Sequence, residues 1–369
     1  MNNAVFPDGK KITKRKMSAV KALGIECPII REGDDLVGLI TYSLDRALGK
    51  ERVTLKDKDV IGVTESVLAR AMGHYITIDD IKKCIDELYG ENEHIILVNP
   101  IYSRNRFSMI LRGIARSASG LTIVMPAFDE VGNPAGVNPF TGVNIKEYYE
   151  KICKEENCLC NFVDNTSEAY RHENVKVLYC GLHDYQHYTI PYQSSGDIVY
   201  TLADICKDVS PEFGLLGTNK ADGERLKLFP TVAMSNAFSK ILKERIKERF
   251  GVDVIVCIYG DGCFKDPVGG IWEFADPVTM PGYTNPEYIE STPSEIKLKF
   301  VIDQGLNDTD IKRAIEQHKA EADEEAKSHM VSQGTTPRIR RDLLASLMDL
   351  VSGSGDRQTP VVLIQGYFD

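Results

Sequence analysis

The sequence lacks any long uninterrupted apolar stretch, and this absence limits where the protein can work. A helix needs about 20 consecutive apolar residues to span a bilayer, and no run in the chain approaches that length. The first residues, MNNAVFPDGKKITKRK, are polar and basic and lack the apolar centre of a secretory signal. We therefore expect a protein of the cytoplasm that has no membrane partner.

Several common catalytic and nucleotide-binding motifs are also missing. The chain has no Gly-x-x-x-x-Gly-Lys-Ser/Thr loop, and no Gly-x-Gly-x-x-Gly follows a predicted strand, so the usual phosphate loops are excluded. It has no Gly-x-Ser-x-Gly elbow, which argues against acyl transfer through a serine. His183 and His187 lack the intervening glutamate of a His-Glu-x-x-His zinc site. We interpret both histidines as ordinary residues.

The cysteines do not follow a spacing typical of a metal site or of a disulfide framework. Their number is nine, and several lie inside apolar runs, such as Cys257 in VIVCIY. Cys153, Cys158 and Cys160 follow a Cys-x4-Cys-x-Cys spacing, whereas structural zinc usually takes ligands in short pairs. We interpret the cysteines as reduced thiols in a cytosolic chain.

The charge balance excludes a further group of partners. The 54 acidic residues exceed the 44 basic ones, which gives a formal net charge of -10. Such a surface argues against nonspecific binding of nucleic acid or of an anionic membrane. The hydrophobic share of 43% and the charged share of 27% are ordinary for a globular protein, so a sizeable core is expected.

Helical and strand patterns alternate along the chain, and this alternation predicts an α+β fold of mixed α/β layers. Short apolar runs predict strands at 60–64, 95–98, 121–125, 175–180, 254–259 and 361–365. Amphipathic or capped segments predict helices at 35–48, 77–88, 104–117, 146–155, 232–250, 311–329 and 341–351. The glycine-punctuated residues 213–230 predict a loop.

The loop after the predicted strand 254–259 carries the strongest chemical signal. In VIVCIYGDGCFKDP, Asp261 stands between two glycines, and Lys265 adds a cation. Glycine lets the backbone approach a ligand closely, and a carboxylate at the carboxyl end of a buried strand often contacts a metal or a nucleotide. Glu273 and Asp276 then follow beside Trp272. The alternative is a tight turn with solvated charges, and the spacing alone leaves both interpretations open.

The segment GLLGTNKADGERLKLFP is a second candidate. Thr218, Asn219 and Lys220 crowd a loop that leads into a helix. Such a loop can direct backbone N–H groups and a lysine at a phosphate. A solvated loop without a ligand is the alternative, and the pattern does not decide between them.

The predicted helix RNRFSMILRGIARS is a third candidate, because arginines stand at both of its ends. Arg104 and Arg106 lie at its N-terminal end, and they could bind a phosphate or a substrate carboxylate. We favour this functional interpretation for these two residues. For Arg112 and Arg116 we favour a surface helix with an apolar stripe.

Five segments resemble, in the same order, the coenzyme F-420 gamma-glutamyl ligase family. They are IIREGDDLVGLI, DVIGVTESVLARAMGH, GLLGTNKADGERLKLFP, SNAFSKILKERIKERFGVDVIVCIYGDGCFKDPVGGIWEFADPV and TPVVLIQGY. The resemblance does not cover the region between about 75 and 213, and the chain looks like a divergent, bacterial-type branch. It implies a ligase-like fold with an inserted subdomain. We predict residues 1–75 and 213–369 as the two parts of the core, with 76–212 as the expanded or inserted unit.

What this resemblance implies is an amide ligase that uses GTP or ATP. In that family a substrate carboxylate is phosphorylated, and the amine of L-glutamate attacks the acyl phosphate. Phosphoryl transfer of this kind needs charge neutralisation and positioning more than a protein nucleophile. The expected partners are therefore a small carboxylate-bearing acceptor and L-glutamate or a similar amino acid, and the family resemblance also implies a homodimer.

The resemblance also implies site residues. Mg²⁺ or Mn²⁺ ions sit on the phosphates in this family, and their aspartate ligand matches Asp261, while Lys265 loosely matches a following arginine. A second family aspartate falls on Leu216, and the nearest acid is Asp222. We expect Asp261, Asp222 and Glu273 to hold the metal. Two alternatives are a non-catalytic nucleotide- or metabolite-binding homologue and a metal-dependent phosphohydrolase.

Overall fold

A computed structural model describes residues 20–98, 106–125, 136–137, 142–169, 174–180, 196–260, 280–290, 340–352 and 358–368. For Arg106 and residues 219–222 the backbone is described but the side chains are not. Within these ranges helices combine with both parallel and antiparallel strand pairs in three sheets, which confirms the predicted α+β class. No helix in this part of the chain is long and apolar enough to cross a membrane.

Helices and strands alternate over much of the chain. The strands are β1 (Lys21–Ile25), β2 (Val60–Thr64), β3 (Tyr75–Thr77), β4 (His94–Val98), β5 (Gly120–Val124), β6 (Leu159–Val163), β7 (Lys176–Tyr179), β8 (Ile198–Thr201), β9 (Thr218–Asp222), β10 (Arg225–Leu228), β11 (Ile255–Tyr259), β12 (Gly282–Tyr283) and β13 (Val361–Gln365). The helices are α1 (Leu36–Glu51), α2 (Glu65–Ala71), α3 (Ile78–Tyr89), α4 (Arg106–Ser117), α5 (Ile145–Glu155), α6 (Thr166–Ala169), α7 (Val232–Phe250), α8 (Pro286–Ile289) and α9 (Arg340–Ser352).

The terminal sheet joins segments from both ends of the chain, in the order β1-β13-β2-β11-β12. β2 and β11 run parallel, and every other neighbouring pair in this sheet is antiparallel. Along β11, Val256 and Ile258 pack towards α1 and α7, while Cys257 and Tyr259 pack towards α9. Because both faces are covered, all five residues of β11 are buried, as the unbroken apolar run predicts.

The middle sheet is entirely parallel and has the order β6-β5-β4-β7-β8. The helices α3, α4 and α5 pack on one face, through side chains such as Ile85, Phe107 and Tyr149. The strand order reverses between β4 and β7, and ligands of open α/β sheets bind at the carboxyl ends of strands at such a reversal. α4 begins at Arg106, after β4 has ended at Val98.

The small sheet, in the order β3-β10-β9, is antiparallel. Leu226 and Leu228 of β10 belong to the same hydrophobic core as α3 and α4. Side chains alternate between the two faces of a strand, so Arg225 and Lys227 lie on the opposite face. There Arg225 forms an ion pair with Glu32, while Lys227 bonds to α2. The small sheet is therefore packed between the helices of the middle sheet and α2.

The prediction of a loop over 213–230 is wrong. A single 3-10 turn at Gly214–Gly217 leads into β9, and Gly223, at φ +63°, lets the chain turn back into β10. The alternation of Arg225, Leu226, Lys227 and Leu228 is a strand pattern. The glycines and charged residues beside it concealed that pattern in the sequence.

Most of the other predicted elements are confirmed to within a few residues. Thr77 caps α3 and forms a reciprocal capping box with Asp80, as the Thr-Ile-Asp-Asp sequence predicts. Gly251 ends α7 in the left-handed conformation. The strands β1, β3, β6, β8 and β12 were not predicted, and the predicted helix 311–329 lies outside the described residues.

Arg112 and Arg116 of α4 form an ion-pair network with the end of α5. Arg112 contacts Glu155 at 2.7 Å and Glu156 at 2.8 Å, while Arg116 contacts Glu156 at 2.9 Å and Asp79 at 2.6 Å. Burial alone would raise the pKa of Glu156, but the two guanidinium groups lower it. These contacts support the structural interpretation of both arginines.

We predict that Gly113→Ala destabilises the protein by about 1–3 kcal/mol, because the closest approach of α4 to α3 leaves no room for a methyl group. A Cβ at Gly113 would lie 2.5 Å from Ile81 Cγ2 and 3.1 Å from the Ile78 carbonyl oxygen. The matched control is Gly49→Ala in α1, where nothing lies within 4 Å of the added Cβ. This control should stabilise the helix by up to about 1 kcal/mol. Urea unfolding measures both, and equal stability of the two variants would contradict the packing of α4 on α3.

Candidate functional site

The carboxyl edge of β2 and β11 is the part of the terminal sheet that can hold a ligand. Tyr259, the last residue of β11, lies opposite Thr64, the last residue of β2. Since the strands are parallel, both chains leave the sheet at the same edge. One continues through Gly260 towards Asp261, and the other continues directly into α2. The loop singled out in the sequence therefore starts beside the N-terminus of α2.

Glu65 places a buried carboxylate at this edge. It is the first residue of α2 and is only 5% exposed. The Thr64 hydroxyl donates to Glu65 Oε2 at 2.9 Å. An anion is favourable in the first turn of a helix, where unpaired N–H groups carry partial positive charge.

Lys227 reaches the same helix from the small sheet. Its side chain is buried, and its ammonium donates a hydrogen bond to Ser66 Oγ, on the residue that follows Glu65. Lysine is almost never fully buried unless its charge is paired or bonded. The hydrogen bond to Ser66 thus places a buried cation at the first turn of α2.

Tyr259 lies at the same edge, and its side chain packs on the face of the sheet that α9 covers. Burial raises the pKa of its phenol, and the nearby carboxylates of Glu65 and Asp349 raise it further, against a lowering contribution from Ser352. The phenol stays protonated at neutral pH and can serve as a hydrogen-bond donor. The Tyr259 phenol and the Glu65 carboxylate are therefore close enough to interact at the edge where Gly260 follows β11.

The sequence-predicted site residues fall into two groups in the structure. Asp261, Lys265, Glu273 and Arg104 lie outside the described residues, and Arg106 marks the start of α4. The other four residues all belong to β9. Thr218, Asn219 and Lys220 are its first three residues, and Asp222 is its last.

The backbone positions of β9 are known, whereas only the Thr218 side chain among these four is described. Thr218 is fully buried, and its hydroxyl donates to the Leu215 carbonyl oxygen at 2.9 Å. Asp222 pairs with Arg225 across the hairpin turn. These positions put the residues on the small sheet, which also carries Lys227.

Sequence reasoning missed Glu65 and Lys227. The signal for Lys227 was its place between Leu226 and Leu228 in LKLFP, since a lysine inside an apolar strand pattern is a candidate for burial. The signal for Glu65 was its place directly after the strand VIGVT. Neither signal reveals that the two side chains meet the same turn of α2.

Metal binding has no complete site among the described residues. They contain no group of three or more His, Cys, Asp or Glu side chains that could hold a metal ion. Their eight cysteines are all free thiols. The oxygen atoms of Thr64 and Glu65 at the edge are nevertheless the kind of ligand that Mg²⁺ and Mn²⁺ prefer.

A cavity of about 700 Å³ lies on the middle sheet and is lined by side chains including His94, Thr122 and Asn161. Thr122 donates to Asn161 Oδ1 at 2.9 Å, so it accepts from His94 Nε2, also at 2.9 Å. His94 and Lys176, which also lines the cavity, are the first residues of their strands. The cavity therefore extends over one face of the sheet, from these amino ends to Val163 at the carboxyl end of β6.

Comparison with known families identifies the chain. The model of the F420-0:Gamma-glutamyl ligase family matches residues 24–366. This range spans nearly the whole chain, and it includes the middle region that the motifs alone did not cover. The chain therefore belongs to the F420-0:gamma-glutamyl ligase family, which is a family of ligases. The family resemblance drawn from the five segments is confirmed.

Comparisons with individual proteins add little. No curated protein matches the sequence significantly. Among solved structures, a chain of the tetrameric eIF2B-beta2-delta2 complex from C. thermophilum is similar at 13% identity and a TM-score of 0.19. The similarity covers 28% of this chain and 30% of that chain, and it supports no argument about fold or function.

His74, which links α2 to the small sheet, should make stability depend on pH. Its carbonyl oxygen accepts from the Leu228 amide at 3.0 Å. Burial lowers its pKa, although a backbone hydrogen bond at Phe229 and the charge of Glu212 partly oppose this. An unfolded histidine has a pKa of about 6.5, so the unfolded chain binds the proton more readily than the folded one.

We predict that the free energy of unfolding falls as pH drops below about 6.5, at up to about 1.4 kcal/mol per pH unit for this one group. Above about pH 7 the group should contribute no slope, because it is neutral in both states. Urea unfolding between about pH 7.5 and pH 5 measures this, with His74→Gln as the control that removes the titrating group. Identical slopes for the two proteins would contradict the prediction.

Proposed function

We propose that the protein is a nucleotide-dependent amide ligase that joins L-glutamate, or a similar amino acid, to a small carboxylate-bearing acceptor through an acyl phosphate. Membership of a ligase family supports the type of reaction. The observation that carries the proposal is the parallel pairing of β2 and β11, which brings Thr64, Glu65 and Gly260 to one edge of the sheet.

Charge placement at this edge suits phosphoryl transfer, which depends mainly on positioning and on neutralising the phosphate oxygens. We propose that Asp261, Asp222 and Glu273 hold Mg²⁺ or Mn²⁺, which when bound neutralises phosphate charge. Lys265 follows in the same loop and is proposed to contact the transferred group. The family uses GTP or ATP as the phosphoryl donor, and we extend this to the present chain.

Two further groups are proposed to bind anions. Thr218, Asn219 and Lys220 lie at the start of β9, on the sheet that reaches α2, and we propose that this strand binds the nucleotide phosphates. Arg104 and Arg106 lie at or just before the start of α4, where the helix N-terminus favours an anion. We propose that these arginines bind a phosphate or the acceptor carboxylate.

We further propose that residues 76–212 form a unit inserted into the ligase core. The described strands of the terminal sheet come from residues 21–64 and 255–365, whereas the middle sheet lies within 94–201.

We also propose that the protein is a homodimer and that it works in the cytoplasm. Sedimentation velocity of the purified chain tests the dimer, and a monomer at micromolar concentration would contradict it.

The reaction is tested by incubating the protein with Mg²⁺, GTP or ATP, L-glutamate and a panel of carboxylate acceptors. We expect release of nucleoside diphosphate that requires both the acceptor and glutamate. Asp261→Asn should lower this rate by about 100-fold or more, because one fixed charge at the reacting phosphate is lost. Asp266→Asn, in the same loop, is the matched control and should stay within a few-fold of the parent.

Other outcomes separate the alternatives. Nucleotide hydrolysis without an acceptor, at a rate that glutamate does not change, indicates a phosphohydrolase. Binding of nucleotide without any turnover indicates a non-catalytic homologue. An Asp261→Asn protein that binds the magnesium nucleotide as tightly as the parent would falsify the metal role assigned to Asp261.

A further inference from the structure

Three charged side chains are buried in the part of the chain that the structure describes: Asp59, Glu65 and Lys227. The burial of Asp59 has a structural cause. Its carboxylate accepts from the Lys56 amide at 2.8 Å and from the Gln365 side chain at 2.6 Å, and so fixes the turn before β2. Glu65 and Lys227 lie instead at the opposite end of β2, where the strand meets α2.

The position of Lys227 follows from the alternation of side chains between the two faces of β10. Leu226 and Leu228 face the core beneath α3 and α4, and this fixes Lys227 on the face towards α2. With 2% exposure, its four-carbon stem is enclosed, and the hydrogen bond to Ser66 holds its ammonium at the first turn of α2.

A buried ammonium is costly, since removing an ion from water carries a penalty of several kcal/mol. A methionine of similar volume would carry no such desolvation penalty at this position. The lysine also lies at the carboxyl edge of a parallel strand pair, the kind of edge at which layered α/β proteins bind ligands. Both facts favour a role in binding an anion over a role in packing.

We infer that Lys227 is a phosphate-binding residue, which holds a phosphate group of the nucleotide, or of the acyl phosphate formed from it, at the edge of β2 and β11. This inference rests on the proposed ligase function. A lysine ammonium acts as a compact point charge on phosphate oxygens. Ser66 orients it, and Gly260 leaves the same edge from β11.

The test compares the binding of nucleotides with and without phosphates. Calorimetric titration of the full-length protein with Mg²⁺-GTP, Mg²⁺-ATP, guanosine and adenosine gives the four affinities. Lys227→Gln and Lys227→Met remove the charge, and Lys176→Gln is the matched control. Lys176 is also largely enclosed and bonds to the Tyr89 carbonyl oxygen at 2.6 Å and to Glu93 at 2.9 Å, but it lies in the middle sheet.

We expect both Lys227 variants to weaken triphosphate binding by about 10- to 100-fold, the range for one charge-assisted hydrogen bond. Their affinity for the nucleosides should not change, and their melting temperatures should stay close to that of the parent. Lys176→Gln should bind the triphosphates like the parent. A purely structural lysine would lower the melting temperature and would leave the affinity of the folded protein unchanged.

Each other outcome has a definite meaning. A folded Lys227 variant that binds triphosphate as tightly as Lys176→Gln overturns the inference and leaves the proposed function standing. Loss of folding in both uncharged variants makes Lys227 a structural residue and also overturns it. A parent protein that binds neither triphosphate contradicts the proposed function itself, and the inference falls with it.

Discussion

The parallel pairing of β2 with β11 is the interaction on which the arrangement of the whole chain depends. Parallel neighbours cannot be joined by a tight turn, so the chain between them must cross over. In this protein the crossover from Thr64 to Ile255 contains the middle sheet, the small sheet and α7. The pairing also fixes the direction of both strands, and hence the edge at which Glu65 and Gly260 leave the sheet.

The small sheet links this edge to the rest of the crossover. β3 precedes the middle sheet in the chain, whereas β9 and β10 follow it, and their pairing brings the two ends of the middle region together. One face of β10 contributes Leu226 and Leu228 to the core of the middle region, and the other face directs Lys227 at Ser66. Packing of the middle region and placement of a charge beside α2 therefore depend on the same short strand.

The sequence predicts the elements whose local pattern is strong. The run VIVCIY, the cap at Thr77 and the helix end at Gly251 all have local physical causes, and the structure has them at the predicted places. The site was only partly predictable. The burial of Lys227 depends on α2, which lies far from it in the chain, and the β9–β10 hairpin was concealed by glycines and charges that are also typical of loops. Family membership could be recognised because the order of the motifs is independent of such tertiary effects.

Binding of a nucleotide phosphate at the carboxyl edge of β2 and β11 is the central element of the proposed mechanism. The most direct measurement is a crystal structure of the protein with Mg²⁺ and a non-hydrolysable GTP or ATP analogue. We predict that phosphate density lies between α2 and the loop after Tyr259, with an oxygen within hydrogen-bond distance of Lys227 Nζ and the metal on Asp261. Phosphates bound instead at the carboxyl edge of the middle sheet, with the edge of β2 and β11 closed, would contradict this mechanism.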